Sequence, residues 1–197
     1  MQHIEDVTNY NENFISKKEA DELFEHLMGF EELTTMMEIK TLAGDSFKFD
    51  FGKTIFLDKE LKEKNKFPEA VWGKNKVWTK KMLAIKTRVE NYINEEFKTC
   101  VCIFYPDGNS GVEYHSDKPA FGDTAIIPAI SLGEERQFCL RENKTMQETC
   151  ITLKHGSLLI MKNGCQENFQ HSLPTNNTYK NPRISLTFRK FGFDDQL

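Results

Sequence analysis

The chain is 197 residues long, 39% hydrophobic and 28% charged, with a net charge of −4 at pH 7. Such a length and balance suit a folded domain with a substantial core and exclude a disordered or low-complexity polymer. The acidic surplus argues against a protein that coats nucleic acid indiscriminately, while leaving room for a local basic face.

No stretch reaches membrane-span length, and the opening MQHIEDVTNY lacks the basic and apolar regions of a secretory signal. An intracellular chain, cytoplasmic or nuclear, that engages no membrane and acts as a monomer is therefore expected. The five cysteines, Cys100, Cys102, Cys139, Cys150 and Cys165, are odd in number and contain no CxxC pair. They read as buried thiols in a reducing compartment.

Residues 14 to 30 predict a helix. Ser16 and Glu19 have capping-box spacing, Ala20, Leu23, Phe24 and Leu27 recur on one face, and Gly29 closes the run. The segment SFKFDFGKTIFL (46 to 57) alternates in part and reads as a strand or hairpin. Lysines at 59, 62, 64 and 66, and again at 74, 76, 80 and 81, interleave with Phe67, Trp72 and Trp78. That pattern suits either phosphate gripping and base stacking or a solvated surface over buried rings. Residues 78 to 97 predict a second helix, striped by Met82, Ile85, Val89, Tyr92 or Ile93, and Phe97.

From Cys100 onward, short apolar runs follow one another between turn signals: CVCIFY, TAIIPAISL, QFCLR, CITL, SLLIM and RISLTFR. So many short strands predict a sandwich or barrel. The expectation is a mainly β (α+β) chain forming one domain over 1–197. Helices and an insert over 1–98 lead into a double-stranded β-helix, or jelly roll, over 99–191.

The chemistry concentrates in EYHSDKP, where one residue separates His115 from Asp117. In a strand, residues i and i+2 project to one face, so the imidazole and the carboxylate can converge. A distant third ligand would complete a two-His-one-carboxylate set that leaves adjacent metal positions open. His171, in NFQHSLP, is the candidate; His3, His26 and His155 have less to recommend them. Twelve residues past His171, RISLTFR alternates strictly, so Arg183, Ser185 and Arg189 share a face. If that face points inward, the arginines need partners, and no acid in the strand supplies one. An external dicarboxylate meets the need, because guanidinium forks match carboxylates. The other reading is a polar face in solvent.

Taken together, YPDG (105 to 108), HSD (115 to 117), HGSLLIM (155 to 161), Gln166 ahead of His171, and RISLTFR (183 to 189) resemble the AlkB-like iron/2-oxoglutarate oxygenases. The texture is closest to the AlkB domains of plant RNA viruses and the nucleic-acid demethylases of eukaryotes. The resemblance implies a catalytic Fe(II) held by His115, Asp117 and His171, with 2-oxoglutarate and O₂ as cosubstrates. Arg183 would pair with the distal carboxylate, Ser185 and Tyr105 would donate hydroxyl hydrogen bonds, and Arg189 would support the metal side. It further implies decarboxylation of 2-oxoglutarate to succinate and CO₂. Coupled to that, an N-methyl group on single-stranded RNA or DNA is hydroxylated and leaves as formaldehyde.

The chain departs from the family pattern at three points. Ile103 stands where an asparagine is usual, Ser185 where the last motif more often has asparagine, and Pro119 where several demethylases carry an acidic base reader. Lys118 and Asp123 are then the nearby candidates for substrate contact. Residues 31 to 81 would form a recognition lid whose rings, Phe67, Trp72 and Trp78, stack a flipped base. Two further readings stay open: an oxygenase of the same core acting on a protein side chain or small molecule, and a non-catalytic nucleic-acid-binding module.

Overall fold

The computed structural model describes residues 4–40, 46–120 and 122–192; His3 lies outside them. The chain begins with α1 (Ile4–Val7), β1 (Thr8–Asn11) and α2 (Lys17–Met28). The Ser16 hydroxyl accepts the Glu19 amide, and the Glu19 carboxylate accepts the Ser16 amide at 3.0 Å. This reciprocal cap satisfies two donors that helix geometry leaves free and starts α2 at the predicted place. A turn, α3 (Glu31–Thr34), precedes β2 (Met36–Lys40) and the long β3 (Ser46–Leu57), which pair as an antiparallel hairpin. Glycine is required at position 52, where any Cβ would overlap the Leu33 carbonyl oxygen.

Next come α4 (Lys59–Glu63), α5 (Glu69–Trp72), β4 (Lys74–Val77) and α6 (Lys80–Ile93). Thr79 caps α6 by accepting the Met82 amide, and Asn94, left-handed at φ 60°, ends it short of the predicted boundary. The remaining elements are β5 (Thr99–Tyr105), β6 (Val112–His115), β7 (Ile127–Gly133), β8 (Arg136–Glu142), β9 (Glu148–Leu153), β10 (Ser157–Met161), α7 (Cys165–Asn168), β11 (Phe169–Leu173) and β12 (Arg183–Arg189).

These strands form two sheets. The larger runs β1-β10-β7-β12-β5-β3-β2, with β4 added beside β3; the smaller runs β6-β11-β8-β9. Of the pairings between these strands, only β3–β4 is parallel. The fold is mainly β, a jelly roll with flanking helices. Strands from the first hundred residues, β1 and β3, belong to the same sheet as β12.

Alternation along β12 creates both the core and the site. Ile184, Leu186 and Phe188 are fully buried in one cluster with Ala20, Leu23 and Leu27 of α2 and Met82 and Val89 of α6. Side chains of this size contribute about 1.5–3 kcal/mol each when removed from water. The intervening residues Arg183, Ser185, Thr187 and Arg189 line a cavity on the opposite face of the sheet. The inward reading of RISLTFR is the observed one.

The cysteines depart from expectation. Cys100, Cys102 and Cys165 are buried free thiols, but Cys139 and Cys150 form a disulfide. The β8–β9 register sets these two directly opposite each other, a relationship that the length of the intervening turn does not reveal.

Candidate active site

The smaller sheet delivers the two histidines. His115 ends β6, His171 is central in β11, and the register makes them cross-strand partners with ring centroids 4.3 Å apart. Asp117 lies past the end of β6, in a loop. Strand periodicity therefore does not place the carboxylate, contrary to the sequence argument. Instead, Gln166 Oε1 accepts the Asp117 amide at 2.8 Å and the Ser116 hydroxyl donates to the Phe169 carbonyl at 2.9 Å. Arg189 holds the carboxylate itself at 3.2 Å and donates to the Lys118 carbonyl at 3.1 Å.

The carboxylate oxygens of Asp117 lie 4.0 Å from Nε2 of His115 and 4.0 Å from Nε2 of His171. One donor atom from each of the three residues falls within 4.8 Å of the others. His115 Nδ1 is 2.8 Å from the Glu113 carbonyl, which can only accept. The proton therefore sits on Nδ1, and Nε2 keeps its lone pair for a metal. Burial pushes the His171 imidazole down to about 4, against the pull of Asp117, so this ring is neutral at physiological pH. Two imidazoles and one carboxylate suit Fe(II) with open positions.

The far end of the cavity is cationic. Arg183 is 3% exposed, donates to the Ser131 hydroxyl at 2.9 Å and lies over the Tyr105 ring. Its Nε has no hydrogen-bond partner, and among the described residues no carboxylate pairs with it. Desolvation pulls its guanidinium down to about 10. A buried guanidinium with an idle N–H fits a carboxylate ligand. Ser185, Tyr105 and Ile103 line the same cavity, whose volume is about 210 Å³ and whose other wall includes the metal-binding trio. The residues present thus fit both an iron(II) ion and a dicarboxylate cosubstrate.

The candidate substrate residues fall elsewhere: Lys118, Asp123, Trp72 and Trp78 do not line this cavity. Lys118 contributes its carbonyl to Arg189. Asp123 accepts the Ala125 amide at 2.8 Å and faces Lys190. Trp78 donates to Asp58 at 2.7 Å and stacks against Phe56 and Phe188. Trp72 packs on Phe67, which is buried beside Ile55, Leu57 and Leu61. For Phe67, Trp72 and Trp78, the rings read as base stackers serve the chain's own packing.

Sequence reasoning passed over Phe51 and Phe138, which line the cavity, the latter stacked on His171. It also passed over Ser131, which holds Arg183, and Arg136, which is 1% exposed and bonded to the carbonyls of Asp107, Ser110 and Pro174. The alternation of Phe47, Phe49 and Phe51 was an available signal for the first of these. The other two described histidines are structural: His26 meets the Thr79 hydroxyl at 3.0 Å, while His155 accepts the Gly133 amide and meets Asp21.

Comparison with known proteins agrees with this geometry. A model of the 2OG-Fe(II) oxygenase superfamily matches residues 8–189. The alpha-ketoglutarate-dependent dioxygenase alkB homolog 3 of Bos taurus is 27% identical over 189 residues, covering 89% of this chain and 63% of that protein. The DNA oxidative demethylase ALKBH2 of Mus musculus is 28% identical over 124 residues, covering 58% and 45%. The chain thus spans less than two thirds of the length of these relatives. The solved structure of OsALKBH1 superposes with a TM-score of 0.63 at 13% identity, over 96% of this chain and all of that one. With its His-Asp-His trio and inward-facing arginine, the chain belongs to the 2OG-Fe(II) oxygenase superfamily, among its AlkB-like members.

Proposed function

We propose that this protein oxidatively demethylates N-methylated bases in single-stranded RNA or DNA. The observation that carries the reading is a single cavity bounded by the His115–Asp117–His171 trio and by the guanidinium of Arg183, which no carboxylate pairs among the described residues. When bound there, iron(II) and 2-oxoglutarate supply, with O₂, the oxidation that yields succinate, CO₂ and a hydroxylated N-methyl group, lost as formaldehyde. His115, Asp117 and His171 would hold the iron, and Arg183 the distal carboxylate of the cosubstrate.

The chain's own residues account for the rest. His115 offers Nε2 because its Nδ1 is tied to a carbonyl, and burial keeps the His171 ring neutral. Arg189 and Gln166 hold the Asp117 loop in position, as outer contacts do for metal ligands generally. Ser131 and Tyr105 orient Arg183 at the buried end. Val101, Leu159, Met161 and Leu173 wall the cavity with apolar surface and limit the access of water. The name of the murine relative, a DNA oxidative demethylase, supports nucleic acid as the substrate class.

The test is mass spectrometry of a panel of oligonucleotides bearing m1A, m3C, m6A or m3U, in RNA and in DNA, after turnover with iron and 2-oxoglutarate. At least one base should lose its methyl group, with formaldehyde and succinate formed in equal amounts. Succinate formation stimulated only by a protein or metabolite extract would refute the assignment.

A further inference from the structure

The β6–β11 pairing that brings His115 to His171 is not a regular ladder. His171 pairs with His115 and Leu173 with Val112, so Glu113 and Tyr114 of β6 together stand opposite Ser172. The extra residue is a β-bulge, and it reverses the alternation along β6. Val112 and His115, three positions apart, therefore both line the cavity, as do Leu173 and His171. The bulge also sets the imidazole, because the carbonyl 2.8 Å from His115 Nδ1 belongs to Glu113. A slip of one position in this register would turn the metal ligand to the other face of the sheet.

β6 is only four residues long, so contacts outside the ladder must hold a bulged register in place. Arg136, the first residue of β8, supplies them at the open end of the pair. Its guanidinium donates to the carbonyls of Asp107 at 3.2 Å and Ser110 at 2.9 Å, in the loop that enters β6. It also donates to the Pro174 carbonyl at 2.8 Å, immediately past β11. The same two segments meet directly, the Asn176 amide donating to the Gly108 carbonyl at 2.8 Å. At position 111 a Cβ would come within 2.5 Å of the Leu173 carbonyl oxygen, so glycine lets the segments close. The Tyr179 ring packs on the guanidinium, 5.2 Å from centroid to Cζ. Arg136 is 1% exposed, and burying a charge is a costly way to fill space. A planar fork of fixed donors, however, can hold three carbonyls from two segments at set distances.

We propose that Arg136 is a positioning residue for the metal site, a latch that locks the bulged β6–β11 register presenting His115 beside His171. This rests on the iron reading of His115, Asp117 and His171 and on no choice of substrate. Two quantities are measured: iron(II) affinity by anaerobic titration, and backbone amide exchange over 112–115 and 171–173 in metal-free protein. Arg136→Lys keeps the buried charge but cannot span the three carbonyls as the fork does. Tyr179→Leu, at a partly exposed position, loosens the guanidinium and spares its hydrogen bonds. Leu61→Ala, in a separate apolar cluster with Ile55, Leu57 and Phe67, is the control for a general loss of stability. Arg136→Lys should bind iron(II) roughly tenfold more weakly than the control and lose exchange protection on both strands. Tyr179→Leu should move both quantities the same way by less, and it decides alone if Arg136→Lys does not fold. If native protein binds no iron(II) but the variants still free the β6–β11 amides, the iron reading fails and the latch stands. Where native protein binds iron(II), variants that match Leu61→Ala in affinity refute the latch. Variants whose β6–β11 amides stay as protected as in native protein refute it in either case.

Discussion

His115 and His171, far apart in the chain, face each other across the β6–β11 pair with ring centroids 4.3 Å apart. Sheet register, rather than any local motif, brings the two imidazoles together. Asp117 then joins them because the chain leaves β6 immediately after His115 and is caught by Arg189 and Gln166. Each part of this arrangement has a measurable consequence.

Arg183 is buried with no carboxylate beside it among the described residues, so its charge is a burden until a ligand arrives. Arg183→Met should leave the Tm of ligand-free protein undiminished while raising the KM for 2-oxoglutarate on the order of 100-fold. Differential scanning fluorimetry with and without 2-oxoglutarate is the check. The native protein should gain stability on ligand addition, and the variant should not. An equal gain in both would remove Arg183 from the cosubstrate site.

Arg189 acts through Asp117. Arg189→Met frees the carboxylate loop and should weaken iron(II) binding by roughly tenfold to a hundredfold, as loss of outer contacts does at other metal sites. Gln166→Leu should move affinity in the same direction by less, since it releases only the backbone amide. Anaerobic metal titration measures both; unchanged affinity in Arg189→Met would contradict the clamp.

Much of this was legible beforehand, and the reasons differ between elements. The α2 cap is local, so Ser16 and Glu19 announce it. The strict alternation of β12 states its two faces, and the helices decide which one is dry. Asp117 was assigned to the right group for the wrong reason, because a strand end cannot be seen in EYHSDKP. Trp78 and Phe51 were exchanged in importance because ring destinations depend on non-local packing. β1, reading TNYN, carries no apolar pattern and is a strand only because β10 pairs with it. The Cys139–Cys150 pairing is likewise a matter of register.

Buried His171 makes metal-free protein sensitive to acid. Its imidazole is held near about 4 in the fold against 6.5 when exposed, with burial the main cause. A base with a lowered folded pKa lets the unfolded chain take up the proton first. Its contribution to stability is therefore intact above about pH 6.5 and declines as pH falls towards about 4, with a loss of about 2 kcal/mol by pH 5. Urea unfolding of metal-free protein at pH 7.5 and at pH 5, extrapolated linearly to zero denaturant, should show the loss in the native chain and a smaller one in His171→Gln. Equal acid sensitivity of the two would place the titrating group elsewhere.

The disulfide closes a short loop, since Cys139 and Cys150 are 11 residues apart. On loop entropy alone, Cys150→Ala should lose about 2–3 kcal/mol under oxidising conditions. Under reducing conditions the variant and the native chain should unfold together. A stability difference that persists in reductant would mean that the thiol packs for its own sake.

The most direct measurement is the absorption spectrum of the protein under anaerobic conditions with iron(II) and 2-oxoglutarate added in turn. A metal-to-ligand charge-transfer band should appear only when both are present, vanish in His115→Ala, and require far more 2-oxoglutarate in Arg183→Met. Correctly folded native protein that gives no such band, or a His115→Ala variant that gives it undiminished, would contradict the assignment of His115, Asp117 and His171 as the metal centre.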